Sequence, residues 1–113
     1  MQQLVSIIIP SFNRSDLLER AIKSILNQSY KNYEIIIVDN NSTDNTKLII
    51  QKYKDYKIKF SIVKNNGVIA LSRNVGLKNS NGELIAFLDS DDWWEKDKLK
   101  DVIKVFDLKT EID

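Results

Sequence analysis

Leu84-Ile85-Ala86-Phe87-Leu88-Asp89-Ser90-Asp91-Asp92-Trp93-Trp94 carries five apolar residues directly into three carboxylates and two tryptophans. An apolar run of this length, opened by the turn signal Ser80-Asn81-Gly82, predicts a buried strand. Carboxylates buried at the end of such a strand are costly unless their charge is compensated. A divalent cation is the simplest compensation, and carboxylate oxygens suit hard ions such as Mg²⁺ or Mn²⁺. Asp89 and Asp91 stand two apart, so an extended backbone would turn both to one side. The competing reading is structural: Asp89 or Ser90 caps a following helix. The stretch alone leaves both readings open.

Upstream, two further runs have the same character. Leu4 to Ile9 is β-branched and nearly continuous, as in a parallel strand covered on both faces, with Pro10 expected to end it. Tyr33 to Val38 is a second such run and also leads into a carboxylate, Asp39. Between them Leu17, Leu18, Ala21, Ile22, Ile25 and Leu26 recur at helical spacing, with Ser15 as the expected N-cap. Asn40 to Asp44 is a turn into a second helix, capped by Ser42 or Thr43 and buried through Leu48, Ile49 and Tyr53. Lys57 to Val63 alternates polar and apolar residues, and its lysines suit a sheet edge. Asn65-Asn66-Gly67 is a turn, with Gly67 expected in a backbone conformation other residues avoid. Helical spacing returns at Ile69, Ala70, Arg73, Asn74 and Leu77, where Gly76 would allow close packing. Leu99, Val102, Ile103 and Phe106 mark a last amphipathic helix.

The resulting order, β-α-β-α-β-α-β-α, predicts one α/β domain over residues 1–113. The expected fold is a three-layer α/β/α Rossmann-like arrangement around a mostly parallel four-stranded sheet.

Composition removes several function classes. Seventeen basic residues against 16 acidic ones leave a net charge of +1, so no bulk field draws the chain to nucleic acid or membrane. There is no cysteine, hence no disulfide framework and no thiolate metal site. There is no histidine, which removes the commonest general base and the commonest zinc ligand. No apolar run is long enough for a membrane span and the start lacks a signal-peptide pattern, so cytoplasm is the default compartment.

In open α/β sheets, ligands bind outside the carboxyl ends of the strands near the switch in strand order. The polar residues collect at three such ends: Ser11-Phe12-Asn13, Asp39, and Asp89-Ser90-Asp91-Asp92. With the first strand central, these loops converge on a cleft lined by Phe12, Asp39, Asp89 and Asp91. An aromatic face with acceptors suits a nucleobase and ribose, and a carboxylate pair suits a metal-bridged diphosphate. The glycine-rich dinucleotide loop and the Gly-Lys-Ser/Thr loop are both absent, so phosphate charge must be met by a cation, by Arg73, or by both.

Four stretches then carry a family resemblance. They are Val5 to Asn13, Glu34 to Asp44, Asn66-Gly67 through Ser72-Arg73-Asn74-Val75-Gly76, and Gly82 through Asp92. In this order and spacing the chain resembles the N-terminal, nucleotide-sugar-binding half of a family-2 glycosyltransferase with the GT-A fold. The resemblance implies a sheet of order 3-2-1-4 and a nucleoside-diphosphate-sugar donor, usually a UDP-sugar. It implies nucleotide contacts from Pro10, Ser11, Phe12, Asn13, Asp39, Arg73, Asp89 and Ser90, with Asp39 accepting from the base ring. Asp89-Ser90-Asp91 matches the family's Asp-x-Asp motif, which implies a Mn²⁺ or Mg²⁺ ion held by Asp91 with Asp89 nearby. Asp92 either supports these ligands or caps a helix.

The resemblance further implies transfer to an acceptor hydroxyl, in surface-polysaccharide synthesis and at the inner membrane face. Asn41 and Ser72 are mild departures from the family's glycine and alanine. The larger departure is length. The acceptor half, with the carboxylate general base and the contacts to a saccharide or lipid-linked acceptor, is expected beyond residue 113, which predicts a donor-binding piece with little transfer activity of its own. Trp93 and Trp94 are expected to face that half, and exposed together they would favour self-association. Two alternatives remain: a non-catalytic nucleotide-binding or interaction module, and an aspartate-dependent phosphatase. The latter's Asp-x-Asp motif normally follows the first strand and continues to Thr or Val, whereas here the strand is the fourth and Trp93 stands in that place.

Overall fold

The computed structural model describes residues 3–104. Along the chain run β1 (Val5–Ser11), α1 (Ser15–Leu26), β2 (Tyr33–Asp39), α2 (Thr46–Lys52), β3 (Ile58–Ile62), α3 (Ile69–Lys78) and β4 (Leu84–Phe87). Residues 98–104 are helical. The four strands form one sheet in the order β3-β2-β1-β4, and every pairing is parallel. No helix among the described residues is long and apolar enough to cross a membrane. Phe106 and the rest of the tail lie outside the described residues.

The continuous β-branched runs of β1 and β2 bury all of their residues because both sheet faces are covered. On one face Val5, Ile7, Ile9, Tyr33, Ile35 and Ile37 meet Leu18, Ala21, Ile22 and Ile25 of α1, Ile50 of α2, and Leu99. On the other, Ile8, Ile36 and Val38 pack with Val75 of α3. The larger core gathers the residues that alternate along each strand toward α1, so a single shift in register would expose it.

Several local expectations change. Pro10 does not end β1; it pairs with Val38, and Ser11 with Asp39. The Ile8 carbonyl accepts from the Leu88 N–H on the β4 side, so by alternation the donor that Pro10 lacks also faces that side, beyond the end of the β1–β4 ladder. Ser15 is the first residue inside α1, and Asn45 rather than Ser42 or Thr43 precedes α2. Asp44 serves both helix starts, accepting from the Ser15 N–H at 3.0 Å and the Thr46 N–H at 3.1 Å.

In α2, Leu48 is exposed and Ile50 is buried in its stead. In α3, Ile69 and Leu77 are exposed, and the buried residues are Ser72 and Gly76. Small residues let α3 lie close: a Cβ on Gly76 would stand 2.4 Å from the Ile8 Cγ2. β4 is an edge strand and not a fully buried one. Leu84 and Ala86 face the main core, while Ile85 and Phe87 are 38% and 42% exposed.

A polar network closes the end of the sheet opposite the acidic loop. The Ser6 hydroxyl donates to Glu34 Oε2 at 2.6 Å and accepts from the Gly82 N–H at 2.7 Å. The Asn81 N–H donates to the same Glu34 oxygen at 2.7 Å, and Lys59 Nζ lies 3.0 Å from Oε1. Burial pushes the Glu34 carboxyl up, but the bonds from Ser6, Asn81 and Lys59 outweigh it and hold the group below its ordinary 4.5. A carboxyl depressed in the folded state stabilises above its unfolded pKa and loses that contribution as pH falls through its folded pKa. Thermal melts should therefore weaken as the pH drops below about 4.5. Glu34→Gln should lower stability near neutrality and flatten that acid decline. An undiminished decline in the variant would mean that other carboxyls govern it.

Candidate functional site: a cleft at the carboxyl edge of the sheet

The carboxyl ends of β1, β2 and β4 meet the start of α3 around a cleft of about 290 Å³. Its wall includes Pro10, Ser11, Phe12 and Arg14 after β1, Asn40 after β2, Gly67, Ile69 and Ser72 at α3, and Asp89, Ser90 and Asp91 after β4. A larger groove of about 940 Å³ runs along Asp92 to Lys98, Asp101 and Val102. That groove is built by one stretch of chain, whereas the smaller cleft is built by four elements at the edge where parallel sheets bind ligands. The cleft is therefore the candidate site.

Its floor is hydrogen-bonded from strand to strand. The Asn40 N–H donates to the Ser11 carbonyl at 2.8 Å, and the Asn40 Oδ1 accepts from the Asn65 N–H at 3.1 Å. Asn65 Nδ2 in turn donates to the Ser72 hydroxyl at 3.0 Å. This chain spans β1, β2, the Asn65–Gly67 turn and α3. Gly67 has φ +78°, the left-handed region expected of it. The Ser11 hydroxyl is buried in the wall with no partner. Phe12 is 52% exposed and presents an aromatic surface at the mouth.

Asp39 and Asn13 do not line this cleft; they brace the loops that do. Asp39 is fully buried, and both of its carboxylate oxygens accept from Ser42, one from the N–H and one from the hydroxyl. Ser42 Oγ also accepts from the Asn13 N–H at 2.8 Å, and Asn13 Oδ1 accepts from the Thr43 N–H at 2.8 Å. Asn13 takes φ +48° to make this clasp, a conformation asparagine tolerates. The β1 and β2 loops are thereby tied into one unit.

The acidic stretch is a turn and not an extended segment. The Asp92 N–H donates back to the Asp89 carbonyl at 2.9 Å, closing four residues. Asp89 and Asp91 both reach the cleft wall, while the Asp92 carboxylate accepts from the Trp93 N–H at 2.8 Å. Arg20 of α1 donates to the Asp91 carbonyl at 3.0 Å. Arg73 Nη2 lies 3.4 Å from Asp89 Oδ1, and its guanidinium sits over the Phe87 ring, 5.2 Å from the centroid.

Beyond the turn, buried Gln28 donates from Nε2 to the Ser24 and Glu95 carbonyls and accepts the Leu99 N–H at 3.0 Å. Trp94 packs on the main core and Trp93 is half exposed along the larger groove. Arg14, Asn40, Arg20 and Gln28 escaped the sequence reading. Asn40 stood one residue from a flagged strand end. Gln28 lay in a stretch with no periodic pattern and carried no signal.

Among the described residues no group of three or more side chains is placed to hold a metal ion. Two carboxylates at a cleft still fit Mg²⁺ or Mn²⁺, which commonly bind through one or two carboxylates and complete their shell with phosphate oxygens and water. Asp89 and Asp91 are exposed and supply that donor set.

Residues 6–112 match the model of glycosyl transferase family 2. Over 103 residues the chain is 48% identical to the UDP-Glc:alpha-D-GlcNAc-diphosphoundecaprenol beta-1,3-glucosyltransferase WfaP of Escherichia coli, covering 89% of this chain and 40% of that one. Over 102 residues it is 44% identical to the poly(ribitol-phosphate) beta-N-acetylglucosaminyltransferase TarP of Staphylococcus aureus, covering 87% and 31%. The chain thus spans well under half the length of these relatives. Among solved structures, S. aureus TarS 1–349 in complex with UDP-GlcNAc superposes with a TM-score of 0.86 at 34% identity, covering 91% of this chain and 31% of that one. The mannosyltransferase PcManGT of Pyrobaculum calidifontis, in complex with GDP-Man and Mn²⁺, does so at 0.84 with 26% identity, covering 92% and 32%.

Proposed function

Because this chain belongs to glycosyl transferase family 2, we propose that its cleft binds a UDP-sugar with a divalent cation and forms the donor site of a glycosyl transfer. The observation that carries this reading is the convergence of Pro10–Phe12, Asn40 and the Asp89–Asp91 turn on one cleft at the carboxyl edge of the sheet. Phe12 offers a face for the base, and the unspent Ser11 hydroxyl and the Ser90 side chain offer polar contacts to the nucleoside. Asp39, buried with both carboxylate oxygens on Ser42, contributes by bracing the β1 and β2 loops together with Asn13 and not by accepting from the base.

Asp89 and Asp91 would hold Mn²⁺ or Mg²⁺, which when bound neutralises the charge that builds on the departing diphosphate. Arg73 is not among the residues that line the cleft, but its guanidinium lies 3.4 Å from Asp89 Oδ1 and so brings a cation to the cleft's edge. Arg20, through the Asp91 carbonyl, holds the turn that carries the carboxylates, and Gln28, through Glu95 and Leu99, anchors the segment that follows it. The general base that deprotonates the acceptor hydroxyl is assigned to no residue of this chain. The E. coli relative's name specifies a lipid-diphosphate-linked acceptor, which supports a place in surface-polysaccharide synthesis, with a saccharide or lipid-linked acceptor engaged by a further part of the protein at the inner membrane face.

Calorimetric titration of UDP and GDP, each with and without Mn²⁺, tests the reading. UDP should bind, Mn²⁺ should tighten it, and GDP should bind more weakly. Equal binding of both nucleotides would remove the base assignment, and absence of binding by the folded protein would remove the donor-site reading.

A further inference from the structure

We propose that Arg73 is a positioning residue that occupies Asp89 in the metal-free protein and hands it over when a cation and a diphosphate arrive together. The inference rests on the reading that Asp89 and Asp91 hold the cation. Three observations carry it. Arg73 Nη2 is 3.4 Å from Oδ1 of Asp89, one of the two carboxylates offered to a metal. The guanidinium is steadied over the ring of Phe87, the last residue of β4 and two residues before Asp89, at 5.2 Å from the centroid. Its Nε is buried without a partner, so among the described residues the guanidinium is held by hydrogen bond only to Asp89.

A divalent ion entering this cleft meets a carboxylate that is already paired and a guanidinium that repels it. A diphosphate reverses the balance, since its charge attracts the ion and the guanidinium at once. Arg73 then leaves Asp89 to the metal and turns its donors to phosphate, where a planar fork binds well. The pair therefore opposes metal alone and favours metal with nucleotide. By linkage each ligand strengthens the other by the same factor.

The test is titration of Mn²⁺ into the protein, followed by the electron paramagnetic resonance of the free ion, without and with UDP. Arg73→Met keeps an apolar stem over Phe87 and removes the charge. Without UDP it should bind Mn²⁺ roughly two- to fivefold more tightly than the wild type, the factor an exposed ion pair supplies. UDP should then enhance its Mn²⁺ binding less than it does in the wild type. Phe87→Leu removes the ring that steadies Arg73 and alters no charge, so it should shift in the same direction by less.

Circular dichroism identifies which variants are folded. Unchanged or weaker UDP-free Mn²⁺ binding in the folded variants would overturn the handover while the metal site stood. Absence of Mn²⁺ uptake by the wild type, even with UDP, would remove the metal reading and the handover with it.

Discussion

Asp91→Asn should abolish the Mn²⁺-dependent part of UDP binding, a loss of about a hundredfold or more in metal affinity. Outer partners of metal ligands alone cost about 10- to 100-fold when removed, and here a ligand itself is lost from a set of two. Asparagine has nearly the shape of aspartate and would leave the turn intact. The turn is held by backbone groups, the Asp92 N–H on the Asp89 carbonyl and the Arg20 guanidinium on the Asp91 carbonyl, and neither uses the Asp91 side chain. The expected defect is therefore in charge and not in folding, so melting temperatures should match the wild type.

Asp92→Asn is the control. Its carboxylate accepts from the Trp93 N–H, a bond an amide oxygen makes as well, so UDP and Mn²⁺ binding should stay close to wild type. Equal losses in the two variants would mean that the acidic turn acts through its summed charge, and the assignment of ligation to Asp91 would fall.

The framework of this site was legible in the sequence because its determinants are local. Seven-residue β1 and β2 are β-branched runs with no polar alternation, which only a sheet covered on both faces accommodates. The lysines of β3 announced its edge position. What failed were inferences in which covering depends on a distant element. Leu84–Phe87 has the composition of a buried strand, yet α3 packs over β1 and β2 and leaves Ile85 and Phe87 partly exposed. For α3 the apolar positions suggested a buried face at Ile69 and Leu77, but the approach to Ile8 is set by what is small, Ser72 and Gly76.

The site divides the same way. Chemistry-bearing types at strand ends were recognisable, and Phe12, Asp89 and Asp91 do meet at one cleft. Spacing could not say that Asp89 to Asp92 closes into a turn, nor that Asp39 spends both oxygens on Ser42 beneath the surface. The first depends on a backbone hydrogen bond and the second on a carboxylate meeting both the N–H and the hydroxyl of one serine, and residue spacing alone decides neither.

Gly82→Ala should be the most damaging of the three glycine-to-alanine changes. A Cβ there would stand 2.5 Å from Ser6 Oγ, 2.6 Å from the Ser6 nitrogen and 2.9 Å from the Leu4 carbonyl. Two of these atoms are backbone and cannot swing away, so the β1–β4 pairing itself must part. Overpacking of a rigid site costs about 1–3 kcal/mol and more where backbone must move. Parting would also break the Gly82 N–H bond to the Ser6 hydroxyl, and with it strain the bond from Ser6 to Glu34. A loss of about 3 kcal/mol or more is expected, against a total stability of roughly 5–15 kcal/mol for a domain.

Gly76→Ala offers a graded comparison. Its clash, 2.4 Å from Cγ2 of fully buried Ile8, falls on the packing of α3 against the sheet and not on strand backbone, so its loss should be smaller. Chemical denaturation of both variants measures the difference. Because Gly82 lies just before β4 and Asp89 just after it, any fraction of Gly82→Ala that stays folded should also bind UDP with Mn²⁺ less tightly. Retention of wild-type stability in Gly82→Ala would mean that β4 can slide along β1 without cost, and the register that carries Asp89 and Asp91 to the cleft would no longer be fixed by this end of the sheet.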